Sequence, residues 1–117
     1  MVTQRTFLGR TFQLWEYHVS HGSLLIRSPK SLNETTNIDI ICSGIEYLSV
    51  PRFIFNLEVT EPTLEEFQNL QTIIRSPVPI SYIHVLVSNG NRFLVVAASF
   101  KIVENTSDIF ESPFDNM

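Results

Sequence analysis

The sequence predicts an α+β fold: one antiparallel sheet of about six to seven strands, strongly curled or barrel-like, with a single amphipathic helix. The pair Asn89-Gly90 lies between two runs of β-branched and aromatic residues, which is the strongest local signal of a tight hairpin. Several earlier segments alternate apolar and polar residues with the period of a strand, and only the segment near 63–75 has the period of a helix. Short connections between the strands favour antiparallel pairing.

Composition indicates a single domain over residues 1–117, closed by an acidic C-terminal tail at 104–117. The chain has 117 residues, of which 44% are hydrophobic and 17% are charged. This length suffices for one hydrophobic core, and the apolar share argues against disorder. Cys42 is the only cysteine, so the chain cannot form an internal disulfide and does not depend on an oxidising compartment.

The N-terminal region predicts a hairpin whose register the sequence leaves open between two alternatives. Strands at 6–19 and 24–28 flank a turn. A two-residue loop would pair Glu16 with Arg27 and align one apolar face, but its first residue would be a histidine, which is poor at positive φ. A type I turn with Gly22 in a left-handed bulge would shift the pairing by one residue. We favour the two-residue loop, because its charge pair and its apolar face agree.

Three short strands are predicted next, at 38–42, 45–50 and 53–59, with a turn or a bulge at Ser43-Gly44 between the first two. The third alternates cleanly, and its predicted inward residues are Phe53, Phe55, Leu57 and Val59. If the strands at 38–50 or 53–59 lie at the edge of the sheet, they could pair with a second copy of the chain.

The predicted helix at 63–75 begins with a capping box. The Thr63 hydroxyl can accept the amide of Glu66, and the Glu66 carboxylate can reach back to the amide of Thr63. The residues at helical spacing that we expect to face the sheet are Leu64, Phe67, Leu70, Ile73 and Ile74. The prolines at 77 and 79 prevent the helix from continuing.

The C-terminal hairpin at 80–103 has two largely apolar faces. With Asn89-Gly90 as its turn, Leu86 faces Phe93 across the hairpin. One face carries Ile83, Val85, Val87, Leu94, Val96, Ala98, Phe100 and Ile102. The other, mixed face carries Tyr82, His84, Leu86, Phe93, Val95, Ala97, Ser99 and Lys101. One helix cannot cover both faces, so either the sheet curls over the mixed face or another chain covers it. We therefore expect a pocket or an interface on the mixed face, with Tyr82, His84 and Phe93 as candidate contact residues.

Charge and targeting signals narrow the possible partners. The formal net charge is −4 and the eight basic residues are scattered, so we expect no nucleic-acid partner. The segment 1–10 lacks the apolar core of a signal peptide, and no apolar run is long enough to span a bilayer. We therefore expect a cytoplasmic protein without membrane association.

No motif of a known catalytic, cofactor-binding or metal-binding site is present, so we predict no cofactor, no metal and no catalytic residue. His84 has the right pKa range for acid–base chemistry, but a histidine on an apolar strand face is usually part of the core. His18 and His21 have a ligand-like spacing, yet they fall on opposite faces of a strand. Trp15 and His18 remain candidates for contacting a ligand or a partner, although strand aromatics more often form core.

Two functions fit these observations. We favour a small non-catalytic interaction protein, of the inhibitor or immunity type, that binds a protein partner or itself. The alternative is a small-molecule-binding or enzymatic domain with a pocket between the curled sheet and the helix. The aromatic residues of the tail at 108–117 could bind a partner or pack on the chain's own sheet.

Overall fold

The computed structural model describes residues 5–115, so the predictions for residues 1–4 and for Asn116-Met117 lie outside the described part of the chain. The predicted α+β fold is confirmed, with six strands and one helix among these residues. In chain order the elements are β1 (Arg5–His18), β2 (Ser23–Ser28), β3 (Asn37–Ser49), β4 (Phe53–Thr60), α1 (Leu64–Ile74), β5 (Ile83–Ser88) and β6 (Asn91–Asn105). Single 3-10 turns lie at Val19–His21 and Ile80–Tyr82.

The sheet closes on itself in the order β1-β2-β3-β6-β5-β4, and every neighbouring pair is antiparallel. Closure buries the inward side chains of all six strands in one core, as expected for a twisted sheet with long strands. The core residues are Phe12, Leu24, Ile26, Ile38, Ile40, Cys42, Ile54, Leu57, Val59, Leu86, Val95 and Ala97. Burial raises the pKa of the Cys42 thiol to about 12, so this side chain behaves as a small hydrophobe.

The helix packs on the outside of the closed sheet and covers the face of the C-terminal hairpin that carries Ile83 and Val96. Leu70 of α1 and Val78 form a second cluster with Ile83 and Val96. The two apolar faces of the hairpin are therefore covered differently: one lies inside the closed sheet and the other lies under the helix. The predicted register is confirmed, since Leu86 pairs with Phe93.

One part of the predicted hairpin faces is wrong. Phe100 and Ile102 pack against the inner cluster, although strict alternation places them on the helix-covered face. The alternation changes opposite Gly44, whose φ is 66° and where an added Cβ would lie 2.9 Å from the Cβ of Ala98. This close approach requires a glycine, and it allows both strands to change faces together.

The predicted inward face of β4 is also wrong in its first half. Ile54 is fully buried, whereas Phe53 and Phe55 are 39% and 48% exposed. The change of face occurs at Asn56, which has a φ of 51° and accepts a hydrogen bond from the amide of Gly9 at 2.9 Å. The Asn56 side chain thus stabilises an irregularity in the pairing of β1 with β4. For this reason, period-two alternation does not predict the inward face of β4 there.

Neither predicted register of the N-terminal hairpin is correct. The 3-10 turn lengthens the loop, so Glu16 pairs with Leu25 and Arg27 pairs with Gln13. Gly22 does adopt the left-handed conformation that the second alternative required. A further irregularity between Leu14 and Glu16 shifts the register within β1. The salt bridge of Arg27 is consequently made to a residue of the next strand rather than to Glu16.

Two smaller predictions need correction. The segments 38–42 and 45–50 form one continuous strand, β3, so of the two alternatives at Ser43-Gly44 the turn is wrong, and the pairing of β3 is irregular between Ile45 and Tyr47. The capping box of α1 is confirmed in both directions, but Leu64 and Ile73 are 70% and 56% exposed and do not face the sheet.

Candidate functional site

The hairpin strands β5 and β6 differ in length, and this difference opens the closed sheet on one side. β5 begins at Ile83, which pairs with Val96. β6 continues to Asn105 and pairs with β3 along its length. From Ala97 to Asn105 the opposite edge of β6, hereafter the open edge, pairs with no strand within residues 5–115.

The predicted edge strands lie inside the closed sheet over only part of their length. The segments 38–50 and 53–59, which were candidates for self-association, belong to β3 and β4. Each of these strands has two neighbours in the closed sheet, but β2 pairs with β3 only from Ile38 to Cys42, and β5 pairs with β4 only from Glu58 to Thr60. Among residues 5–115, β6 has the longer stretch without a strand on one side, from Ala97 to Asn105.

A cleft of about 620 Å³ lies beside the open edge. Its apolar surface comes mainly from Val59 of β4, from Ile80, and from Phe100 and Ile102 of β6. The polar groups that line it include Arg5, Glu61 and Ser81. The cleft lies where β5 would continue if it were as long as β6, so it has the position of a missing strand.

His84 lies in this cleft. Its ring stacks on the ring of Phe100 with centroids 4.2 Å apart and planes 14° from parallel. Burial lowers the pKa of His84, and a hydrogen bond to the backbone of Ala97 raises it by a smaller amount. The neutral imidazole is therefore favoured near neutral pH, and its ring N–H binds the backbone of Ala97, the first residue of the open edge.

His84 contacts an aromatic ring and one backbone group. Within the described chain, no hydrogen bond joins His84 to a carboxylate or a hydroxyl side chain. The cleft offers apolar surface, an aromatic stack and backbone donors and acceptors.

The other residues predicted on the mixed face do not join this site. Tyr82 packs against the cluster under the helix. Phe93 packs against the inner core. Only His84 of the three lines the cleft, because Phe93 packs inside the closed sheet and Tyr82 packs under the helix.

Trp15 and His18 lie on a different surface: His18 contacts the C-terminal segment 106–115, and Trp15 lies beside Arg27, which also contacts that segment. The Arg27 guanidinium lies 5.4 Å from the Trp15 ring and forms a buried bidentate salt bridge with Asp39, at 2.7 and 3.0 Å. Arg27 also donates to the Glu111 carbonyl of the segment at 2.9 Å. The ring of His18 makes an edge contact with Phe114, with centroids 5.4 Å apart.

The segment 106–115 is held mainly through its backbone. Lys30 donates to the carbonyl of Thr106 and Asn37 donates to the carbonyl of Ser107, each at 2.7 Å. The pKa of Glu16 is lowered most by a hydrogen bond with Ser112 and next by a hydrogen bond with His18. The described part of the tail therefore packs on its own sheet, although Phe110 remains 89% exposed.

His18 contacts the carboxylate of Glu16, which is two residues away on the same face of β1. Residues 5–115 contain no group of three or more histidine, cysteine or acidic side chains placed to hold a metal ion. The described helix is also too short and too polar to cross a membrane.

Comparison of the chain with protein-family models, with curated proteins and with solved structures finds no match. Its function is therefore inferred from the cleft and the open edge alone.

Sequence reasoning missed Phe100, Ile102 and the open edge. A usable signal was present. If the register of the Asn89-Gly90 hairpin is extended, Phe100 falls opposite Pro79 and Ile102 falls opposite Pro77. Proline cannot donate a ladder hydrogen bond, so this part of β6 had to lack a partner from the same hairpin.

Proposed function

We propose that this protein is a non-catalytic interaction module that binds an extended segment of a partner protein. The segment adds to the open edge of β6 and inserts side chains into the adjoining cleft. The single observation that carries this proposal is that one edge of β6, from Ala97 to Asn105, pairs with no strand within residues 5–115 and lies beside an apolar cleft.

Strand addition satisfies both features of the site. Backbone hydrogen bonds along an exposed edge supply affinity that is independent of sequence, and pockets for alternate side chains supply specificity. Phe100 and Ile102 point to the inner side of β6, so the inward side chains of an added strand would enter the cleft beside them. Each ~100 Å² of apolar surface buried there contributes about 2.5 kcal/mol before the cost of ordering the peptide.

The charge and the histidine support the same proposal. A net charge of −4 favours a protein partner over nucleic acid. His84 is stacked on Phe100 and bound to the backbone, so its role is to support the apolar floor of the cleft.

Peptide selection on matched variants tests this function. A phage library of random peptides about twelve residues long is selected against the wild-type chain, and the selected peptides are synthesised for fluorescence anisotropy. Ile80 lines the cleft and is 57% exposed, so Ile80→Arg blocks the cleft without disturbing the core. Ile73 lies on α1 away from the cleft and is 56% exposed, so Ile73→Arg is the matched control.

We expect the selected peptides to bind Ile80→Arg at least ~10-fold more weakly than the wild type, a loss of about 1.4 kcal/mol. Ile73→Arg should bind them as the wild type does. If selection yields no peptide above background, or if both variants bind equally well, the proposal is wrong.

A small apolar molecule is the second candidate ligand. The cleft volume of about 620 Å³ supports it, since small-molecule sites are typically ~300–1,000 Å³. The sequence analysis placed a small-molecule pocket between the curled sheet and the helix. The cleft lies at the opening of the sheet instead. A fragment screen by NMR would favour this candidate if fragments shift the resonances of His84 and Phe100 with dissociation constants tighter than those of any selected peptide.

A further inference from the structure

The side chains of β6 beside the open edge specify the chemistry of the segment that would bind there. We propose that the partner strand carries an acidic residue between two apolar residues, with the acidic residue opposite Lys101. This inference rests on the proposed function, because it assumes that a strand pairs with the open edge.

The inner face of β6 requires the two apolar residues. Phe100 and Ile102 are two residues apart, and both pack against the inner core while lining the cleft. Side chains of an added strand that point to the same side would also be two residues apart, and they would face Val59 and Ile80 across the cleft. Polar side chains there would lose water without gaining hydrogen-bond partners from these four residues.

The outer face of β6 requires the acidic residue. Lys101 lies between Phe100 and Ile102, points away from the inner core and is exposed. It pairs across the sheet with Ile41, and the described chain provides no carboxylate within salt-bridge distance of its ammonium group. A carboxylate placed opposite it on an added strand would form a favourable cross-strand pair.

Lys101 also argues for a partner other than a second copy of the chain. If two copies paired antiparallel through their open edges about this position, their two lysines would lie opposite each other. Like charges directly opposite destabilise such a pair, and edge lysines are a common protection against self-pairing. The same side chain that opposes self-association therefore selects an acidic partner.

Three synthetic peptides test the inference on the full chain. They share one threonine-rich extended sequence and differ only at the centre, which reads Val-Glu-Phe, Val-Gln-Phe or Val-Lys-Phe. Each is titrated against the wild type, against Lys101→Glu, and against Arg52→Glu as a control. Arg52 is exposed and lies outside the cleft, and its substitution changes the net charge by the same amount. Amide hydrogen exchange of residues 97–105 is recorded with each complex.

The wild type should bind the glutamate peptide at least ~3-fold more tightly than the lysine peptide, with the glutamine peptide between them. Lys101→Glu should reverse the order, and Arg52→Glu should preserve it. If the peptides protect the amides of 97–105 with equal affinity, the acidic specificity is wrong and the proposed function stands. If no peptide binds and no amide is protected, both proposals are overturned.

Discussion

At the scale of single residues, Gly44 has the strictest requirement in the sheet. Its φ of 66° lies in the left-handed region, and an added Cβ would lie 2.9 Å from the Cβ of Ala98. Ala98 belongs to β6, next to the residues whose inward face was not predicted. Strain at Gly44 would therefore be transmitted to the strand that lines the cleft.

We predict that Gly44→Ala destabilises the protein by about 2–4 kcal/mol, from backbone strain and steric overlap together. Gly90→Ala is the matched control, because its φ of 84° carries the strain while no atom lies within 4 Å of the added Cβ. It should cost only about 1 kcal/mol. Urea denaturation measures both, and equal losses would contradict the close packing at Gly44.

His84 makes stability depend on pH in a defined direction. Burial lowers its pKa below the ordinary value of 6.5. Just below pH 6.5 the unfolded chain therefore binds a proton that the folded chain does not, so this contribution to stability is complete above that pH and declines as the pH falls.

We predict that the wild type loses more stability than His84→Gln between about pH 7.5 and about pH 5.5, because glutamine has no proton to gain. Urea denaturation of both proteins at the two pH values gives the comparison. An equal loss in wild type and variant would mean that burial does not penalise the charged imidazole.

At the scale of elements, the start of α1 joins the hairpin to one wall of the cleft. Glu66 completes the capping box by accepting the Thr63 amide at 2.9 Å, and it also binds Arg92 of β6 at 2.8 Å. Arg92 in turn donates to the carbonyl of Glu61, which lines the cleft. The hydrogen bond from Arg92 is the largest cause of the lowered pKa of Glu66.

We predict that Glu66→Ala destabilises the protein by about 1–2 kcal/mol, because it removes half of the capping box and a partly exposed ion pair. Glu65→Ala is the matched control: Glu65 is exposed in the same helical turn, and its loss should cost only a few tenths of a kcal/mol through the helix dipole. Thermal unfolding of the two variants tests this prediction. An equal loss of stability in both would contradict the role of Glu66.

Local chemistry made some elements predictable from sequence. The Asn89-Gly90 turn fixed the register of its hairpin, and the Thr63 capping box fixed the start of the helix. The faces of β4 could not be predicted, because Asn56 changes them through a hydrogen bond to Gly9, which lies far away in sequence. Alternation within a strand carries no information about such a long-range contact.

At the scale of the whole molecule, the surfaces of the closed sheet are covered in three ways. Its inner faces cover each other, α1 covers part of the outside, and the segment 106–115 covers the surface around Arg27. The open edge of β6 remains without a strand within residues 5–115. Sequence patterns indicated that one helix could not cover both hairpin faces, but the site depends on which strands become neighbours, and that depends on closure.

Residue-resolved hydrogen exchange of the free protein tests the open edge most directly. Alternate amides of an antiparallel strand point to opposite neighbours, so from Ala97 to Asn105 those that face β3 should be protected and those that face the cleft should exchange rapidly. Between Asn91 and Val96, where β5 also pairs, amides of both sets should be protected. Uniform protection from Ala97 to Asn105 would show that this edge is already covered and would contradict the proposed binding of a partner strand.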